Sequence, residues 1–120
     1  MTLADLYLGL GSLVYALARA DGLLQPREIA LIRDLLRREP HGDVALCSFT
    51  VREYHHDTVE EAYEYGVRCL QSNPGGLTPE RRQHFLTILE EVARIDGHVC
   101  AAESSILTRF KTDFPVTQPV

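Results

Sequence analysis

Four carboxylates recur at matched positions in this chain. Residues 18–28 read Ala-Arg-Ala-Asp-Gly-Leu-Leu-Gln-Pro-Arg-Glu, and residues 93–103 read Ala-Arg-Ile-Asp-Gly-His-Val-Cys-Ala-Ala-Glu. Each copy sets an aspartate before a glycine and a glutamate at the end, giving Asp21 with Glu28 and Asp96 with Glu103. An acid ahead of a tight turn, closed by a later Glu, resembles the second half of an EF-hand loop. Oxygen donors of that kind suit a hard divalent cation, calcium or magnesium. If the two turns approach each other, the four carboxylates converge and a divalent ion relieves their mutual repulsion.

The front half of each copy argues against a full EF-hand. Where the first two ligands belong, the chain has Leu17 and Arg19, then Val92 and Arg94, and an arginine there repels a cation. Each carboxylate also has a structural reading. Gly22 and Gly97 supply the left-handed conformation that ends a helix. Gln25 and Cys100 then stand as caps of the next helix, and Glu28 and Glu103 occupy its third position. From there a carboxylate bonds back to the cap N–H and opposes the helix dipole. Arg19 and Arg94 offer internal ion pairs as the alternative to a metal. Both readings stay open on the residues alone.

Other chemistry-bearing residues are sparse. His55 and His56 precede Asp57, but adjacent residues point in different directions and no nucleophile or third ligand shares their spacing. His98 and Cys100 are better placed as soft ligands. The first copy has Leu23 and Gln25 instead, which excludes a symmetric zinc site. No Gly-rich phosphate loop, Ser/His/Asp set or zinc-hydrolase helix is present. The expectation is a protein that is not an enzyme, with no catalytic residue and no certain cofactor, a divalent cation (calcium or magnesium) being the candidate.

The elements that must position these residues are helices, since apolar spacing of three and four dominates and no alternating strand pattern appears. The first helix is predicted from about Leu3 to Ala20, with Thr2 and Asp5 as a capping pair. Gly9 and Gly11 lower its propensity, and a close crossing by another helix explains them. A second is predicted from Pro26 to Arg38, with proline at the tolerant first position. Asp43 is the expected cap of a third helix reaching Val51, and Asp57 with Glu60 the capping pair of a fourth. Asn73-Pro74-Gly75-Gly76 marks a loop. Thr78-Pro79 opens a fifth helix through Ala93, and a sixth runs from Ala101 to Phe114. The five tyrosines are expected at the core or its edge, and Cys47 and Cys69 as small packed hydrophobes.

Bulk properties narrow the function classes. At 120 residues, 45% of them apolar and 24% charged, the chain suits one soluble domain able to bury a core unaided. A net charge of −5 repels phosphate backbones, so nucleic acid is not an expected partner. The apolar run Leu6 to Ala18 is too short to span a bilayer, which predicts no membrane insertion. Three cysteines without CxxC spacing suit a reducing compartment, and the start of the chain lacks a signal peptide's positive charge. The predicted location is cytoplasmic.

The duplicated Ala-x-x-Asp-Gly-x-[apolar]-x-x-x-Glu pattern in an all-helical chain resembles the TerB-like (tellurite-resistance protein B) superfamily. The order of elements is similar to the N-terminal domain of DjlA-type co-chaperones. The chain departs from that family's usual Ser or Thr caps at Gln25 and Cys100, and no J-domain signature is present. The resemblance implies an all-α, compact bundle of about six helices on two pseudo-symmetric helical hairpins, over residues 1–114, with 115–120 as a flexible C-terminal tail. It implies a bacterial stress-response module that recognises a protein partner or self-associates. It also implies divalent-metal binding at Asp21, Glu28, Asp96 and Glu103, the alternative function.

Overall fold

The longest apolar stretch of the chain forms its central helix. In the computed structural model, which describes residues 2–22, 24–95, 97 and 99–115, α1 spans Leu3–Arg19 and buries every residue from Leu6 to Ala18 except Leu8, which is partly covered. Along the chain it is followed by α2 (Pro26–Arg37), α3 (Gly42–His55), α4 (Val59–Gln71), α5 (Pro79–Ala93) and α6 (Ala101–Asp113). The described residues form an all-α bundle without strands. Among them no helix is long and apolar enough to cross a membrane. The predicted tail beyond Pro115 lies outside the described residues, as do Met1, Leu23, Asp96 and His98.

α1 packs most extensively on α4 and α3, and also touches α5 and α6; α2 rests on α3, and α5 on α6. Its two glycines mark the closest approaches, as expected. A Cβ added at Gly9 would lie 2.9 Å from the Gly66 carbonyl oxygen, and one added at Gly66 would lie 3.0 Å from that of Gly9. The two backbones therefore touch where α1 crosses α4. At Gly11 the obstacle is α3, with the Ala45 oxygen 2.1 Å from an added Cβ. Buried hydroxyls fasten the same crossings. Ser12 Oγ donates to the Ala62 carbonyl at 2.6 Å, and Ser48 Oγ donates to that of Leu8 at 2.7 Å. These bonds satisfy polar groups that would be costly to bury alone.

The connection between α3 and α4 differs from the sequence expectation. α3 starts at Gly42, capped by His41, so Asp43 lies within its first turn, and it runs four residues past Val51. It ends at His56, whose φ of 53° is left-handed. The Asp57 N–H donates to the Arg52 carbonyl at 3.1 Å and the His56 N–H to that of Glu53 at 3.2 Å. That is a Schellman closure with histidine in the position glycine usually fills. Because Asp57 belongs to this closure, the cap of α4 moves on to Thr58. Thr58 Oγ1 accepts the Glu61 N–H at 3.1 Å, and Glu61 accepts the Thr58 N–H at 2.9 Å, a complete capping box. Asp57 instead pairs with Arg52 at 3.5 Å, and its carbonyl accepts the Tyr15 hydroxyl at 2.7 Å. Two packing expectations also fail here: Cys47 is exposed, and Tyr54 is 77% exposed, both on the outer face of α3.

Candidate functional site

Each Asp-Gly segment turns the chain at the end of one helix and caps the start of the next. The two bends share one geometry. Ala20 N–H bonds to Leu17 O at 3.2 Å, and its counterpart Ile95 N–H to Val92 O at 3.2 Å. Gly22 N–H then reaches Arg19 O at 3.0 Å, and Gly97 N–H reaches Arg94 O at 2.9 Å. Both glycines have positive φ, 126° and 99°, where a Cβ would be strained. On the far side Glu28 accepts the Gln25 N–H at 2.9 Å and Glu103 accepts the Cys100 N–H at 3.0 Å. Each glutamate thus satisfies a backbone donor that helix geometry leaves without a partner.

The surroundings of the two glutamates differ. Glu103 is 3% exposed, whereas Glu28 is only partly covered. Around Glu103 three metal-ligating side chains meet. A carboxylate oxygen of Asp21, the Cys100 sulfur and a carboxylate oxygen of Glu103 all lie within 4.8 Å of one another. Asp21 is exposed and Cys100 half-buried, so the group opens to solvent on the Asp21 side. The end of α1 therefore meets the start of α6, which are distant in sequence. Among the described residues this is the group of three or more such side chains close enough for one ion, and Glu28 is not part of it. Asp96 lies outside the described residues.

Of the four predicted ligands, the structure brings Asp21 and Glu103 together and adds Cys100. The signal for Cys100 is in the sequence: it replaces the Ser or Thr cap of the resembled family within the repeated spacing of the turn. Two carboxylates and a thiol form a mixed oxygen–sulfur donor set, which suits a borderline ion such as Zn²⁺ better than calcium or magnesium, whose sites are built from oxygen.

The histidine pair has no comparable setting. His56 ends α3, and the His55 ring packs edge-on to Tyr54 with centroids 5.5 Å apart. Both are exposed.

Comparison with known protein families gives a match over most of the chain. A family model described as "Tellurite resistance protein TerB" matches residues 8–118, from the first turns of α1 past the end of α6. No curated protein matches the chain, and neither does any solved structure. With both Asp-Gly bends and all six helices inside or overlapping the matched span, the chain belongs to the TerB family of tellurite-resistance proteins.

Proposed function

We propose that this TerB-family module is a binding protein, not an enzyme, and that it takes up a divalent cation between its two Asp-Gly bends. The observation that carries this reading is the meeting of Asp21, Cys100 and Glu103 within 4.8 Å. An ion there links the end of α1 to the start of α6 and offsets the repulsion between two carboxylates. The three donors leave further coordination positions open to solvent or to a partner's side chain. Asp96 and Glu28 are the other acids of the repeat; Glu28 is not in the group of three, and Asp96 is tested by substitution. Three unpaired thiols suit a reducing compartment, and we read the protein as cytoplasmic.

Melting curves of the full chain with zinc, manganese, calcium and magnesium test the reading. Zinc is expected to raise the melting temperature saturably, since an ion bound only by the folded state stabilises it by about 2.7 kcal/mol at 100 times its Kd. Asp21→Asn is expected to remove most of that rise, and Asp96→Asn a smaller part. An unchanged rise in the double variant, or no rise with any ion, sinks the site.

A second reading, action through a protein partner or by self-association, has its own observation. Cys47, Val51 and Tyr54 form an exposed row on the outer face of α3, spaced by four and three residues. A family module of this kind in a stress response would use such a face for recognition. Sedimentation across a concentration series tests self-association. A concentration-dependent dimer abolished by Val51→Glu supports it, and a monomer at every concentration turns the reading toward a different protein.

A further inference from the structure

A cleft of about 630 Å³ opens between the α4–α5 connection and the end of α6. Leu70, Leu77, Pro79 and Phe114 give it apolar walls, and Arg82 lies among them. Arg82 is 8% exposed, on the face of α5 that also carries Phe85 and Leu89. Its Nε–H donates to the Phe114 carbonyl, and its guanidinium carbon stands 5.9 Å from the Phe110 ring centroid. These contacts use one edge of the guanidinium and tie α5 to the end of α6. The two Nη groups make no hydrogen bond among the described residues.

Among the described residues no carboxylate forms an ion pair with Arg82: the pairs are Arg37–Asp34, Arg52–Asp57, His84–Glu39 and Arg109–Glu60. Among the described residues the acid lining the cleft is Asp113, which accepts the Tyr63 hydroxyl at 2.6 Å. Buried charges in folded proteins are normally paired, because desolvating an ion without a partner is expensive. A guanidinium presents a planar fork of donors whose natural complement is a carboxylate.

We propose that this cleft is a binding site for a small monocarboxylate with an apolar body, the carboxylate on the Nη groups of Arg82 and the body against Leu70, Leu77 and Phe114. The volume falls in the roughly 300–1,000 Å³ range of small-ligand pockets, and apolar walls with one oriented polar group are their usual make-up. A single cation with Asp113 nearby selects a monoanion over a phosphate dianion. This site is separate from the cation site: Glu103 and Asp113 lie at opposite ends of α6, about 15 Å apart at 1.5 Å per residue. Neither proposal depends on the other.

Octanoate is the probe, with octanamide as a control that keeps the chain and loses the charge. Both are titrated into the full-length protein and followed by amide chemical shifts and calorimetry. Octanoate is expected to give saturable shifts at Leu77, Arg82 and Phe114, and octanamide to bind at least about tenfold more weakly. Arg82→Gln is expected to abolish the preference for the charged ligand. Because Arg82 is buried and its loss can unfold the chain, exposed Gln83 on the cleft rim provides a second arm. Gln83→Glu should weaken octanoate several-fold, leave octanamide unchanged and preserve the melting temperature. The proposal is overturned by an absence of saturable shifts up to about 10 mM octanoate, by equal binding of the two probes, or by octanoate affinity unchanged in Gln83→Glu.

Discussion

Asp21 and Glu103 place carboxylate oxygens within 4.8 Å of each other although one ends the first helix and the other begins the last. Glu103 is buried and already accepts the Cys100 N–H, so the two members of the pair do different work. Glu103 holds the start of α6, and Asp21 faces the solvent side of the same small space. Cys100 takes part in the first of these through its backbone N–H and would take part in the proposed cation site through its sulfur.

That division predicts a metal preference that depends on the thiol. Cys100→Ser replaces sulfur with a harder oxygen donor while keeping a residue fit to cap a helix. Zinc affinity should fall by at least about tenfold, as losing one good ligand implies. Any weaker response to calcium or manganese should persist. Isothermal titration of wild type and variant with each ion measures this, and equal zinc affinity in the two proteins contradicts it.

The contact between Gly9 and Gly66 predicts a size limit at the α1–α4 crossing. Gly9→Ala or Gly66→Ala forces a methyl against backbone oxygen at about 3 Å. Overpacking of this kind costs about 1–3 kcal/mol, sometimes more. Gly75→Ala meets nothing within 4 Å and should leave stability nearly unchanged. Urea midpoints of the three variants provide the comparison.

His56 is the described non-glycine residue with positive φ. A Cβ in that conformation is unfavourable, and glycine there removes the penalty at a smaller entropic cost. His56→Gly is therefore expected to stabilise the protein by about 0.5–1 kcal/mol, read from chemical denaturation. A fall in stability would mean that the imidazole makes a contribution greater than the strain it carries.

Two exposed glutamates on α4 set an acid limit. Hydrogen bonding to Arg109 holds the Glu60 carboxyl below its ordinary value of 4.5, and the Thr58 backbone N–H does the same for Glu61. A carboxyl whose pKa is lower when folded contributes stability above its unfolded value, and that contribution disappears as pH falls through the folded one. Denaturation midpoints should thus hold steady above pH 4.5 and decline below it. Glu61→Gln should flatten the decline, because an amide still reaches the Thr58 N–H but no longer titrates. A profile identical to wild type would place the acid sensitivity elsewhere.

Much of the fold was legible because helices announce themselves locally. The spacing of apolar residues located six helices with ends within one residue at α1, α2 and α6, and the glycines of α1 pointed to close crossings. The α3–α4 connection was misread for a physical reason. Asp57 and Thr58 are both good caps, and the choice between them was made by a backbone closure at His56, a residue that sequence rules rarely place in the left-handed region. Residue type alone places Tyr54 at the core or its edge, whereas its register on α3 turns it outward. Arg82 carries a signal in its spacing: it falls three and seven residues before Phe85 and Leu89, on the apolar face of α5.

The sequence by itself determined the family, the helical class and the repeated bend, because each depends on short-range chemistry: glycine at positive φ, glutamate at the third helical position, apolar side chains at helical spacing. Only the tertiary structure decided which acids of the two copies meet and which glutamate is buried. It also made Cys100 a neighbour of Asp21 and left Arg82 enclosed with no ion-pair partner among the described residues. Those relations depend on how α5 and α6 pack around α1, and packing distances between segments remote in the chain are not encoded in either segment's own spacing.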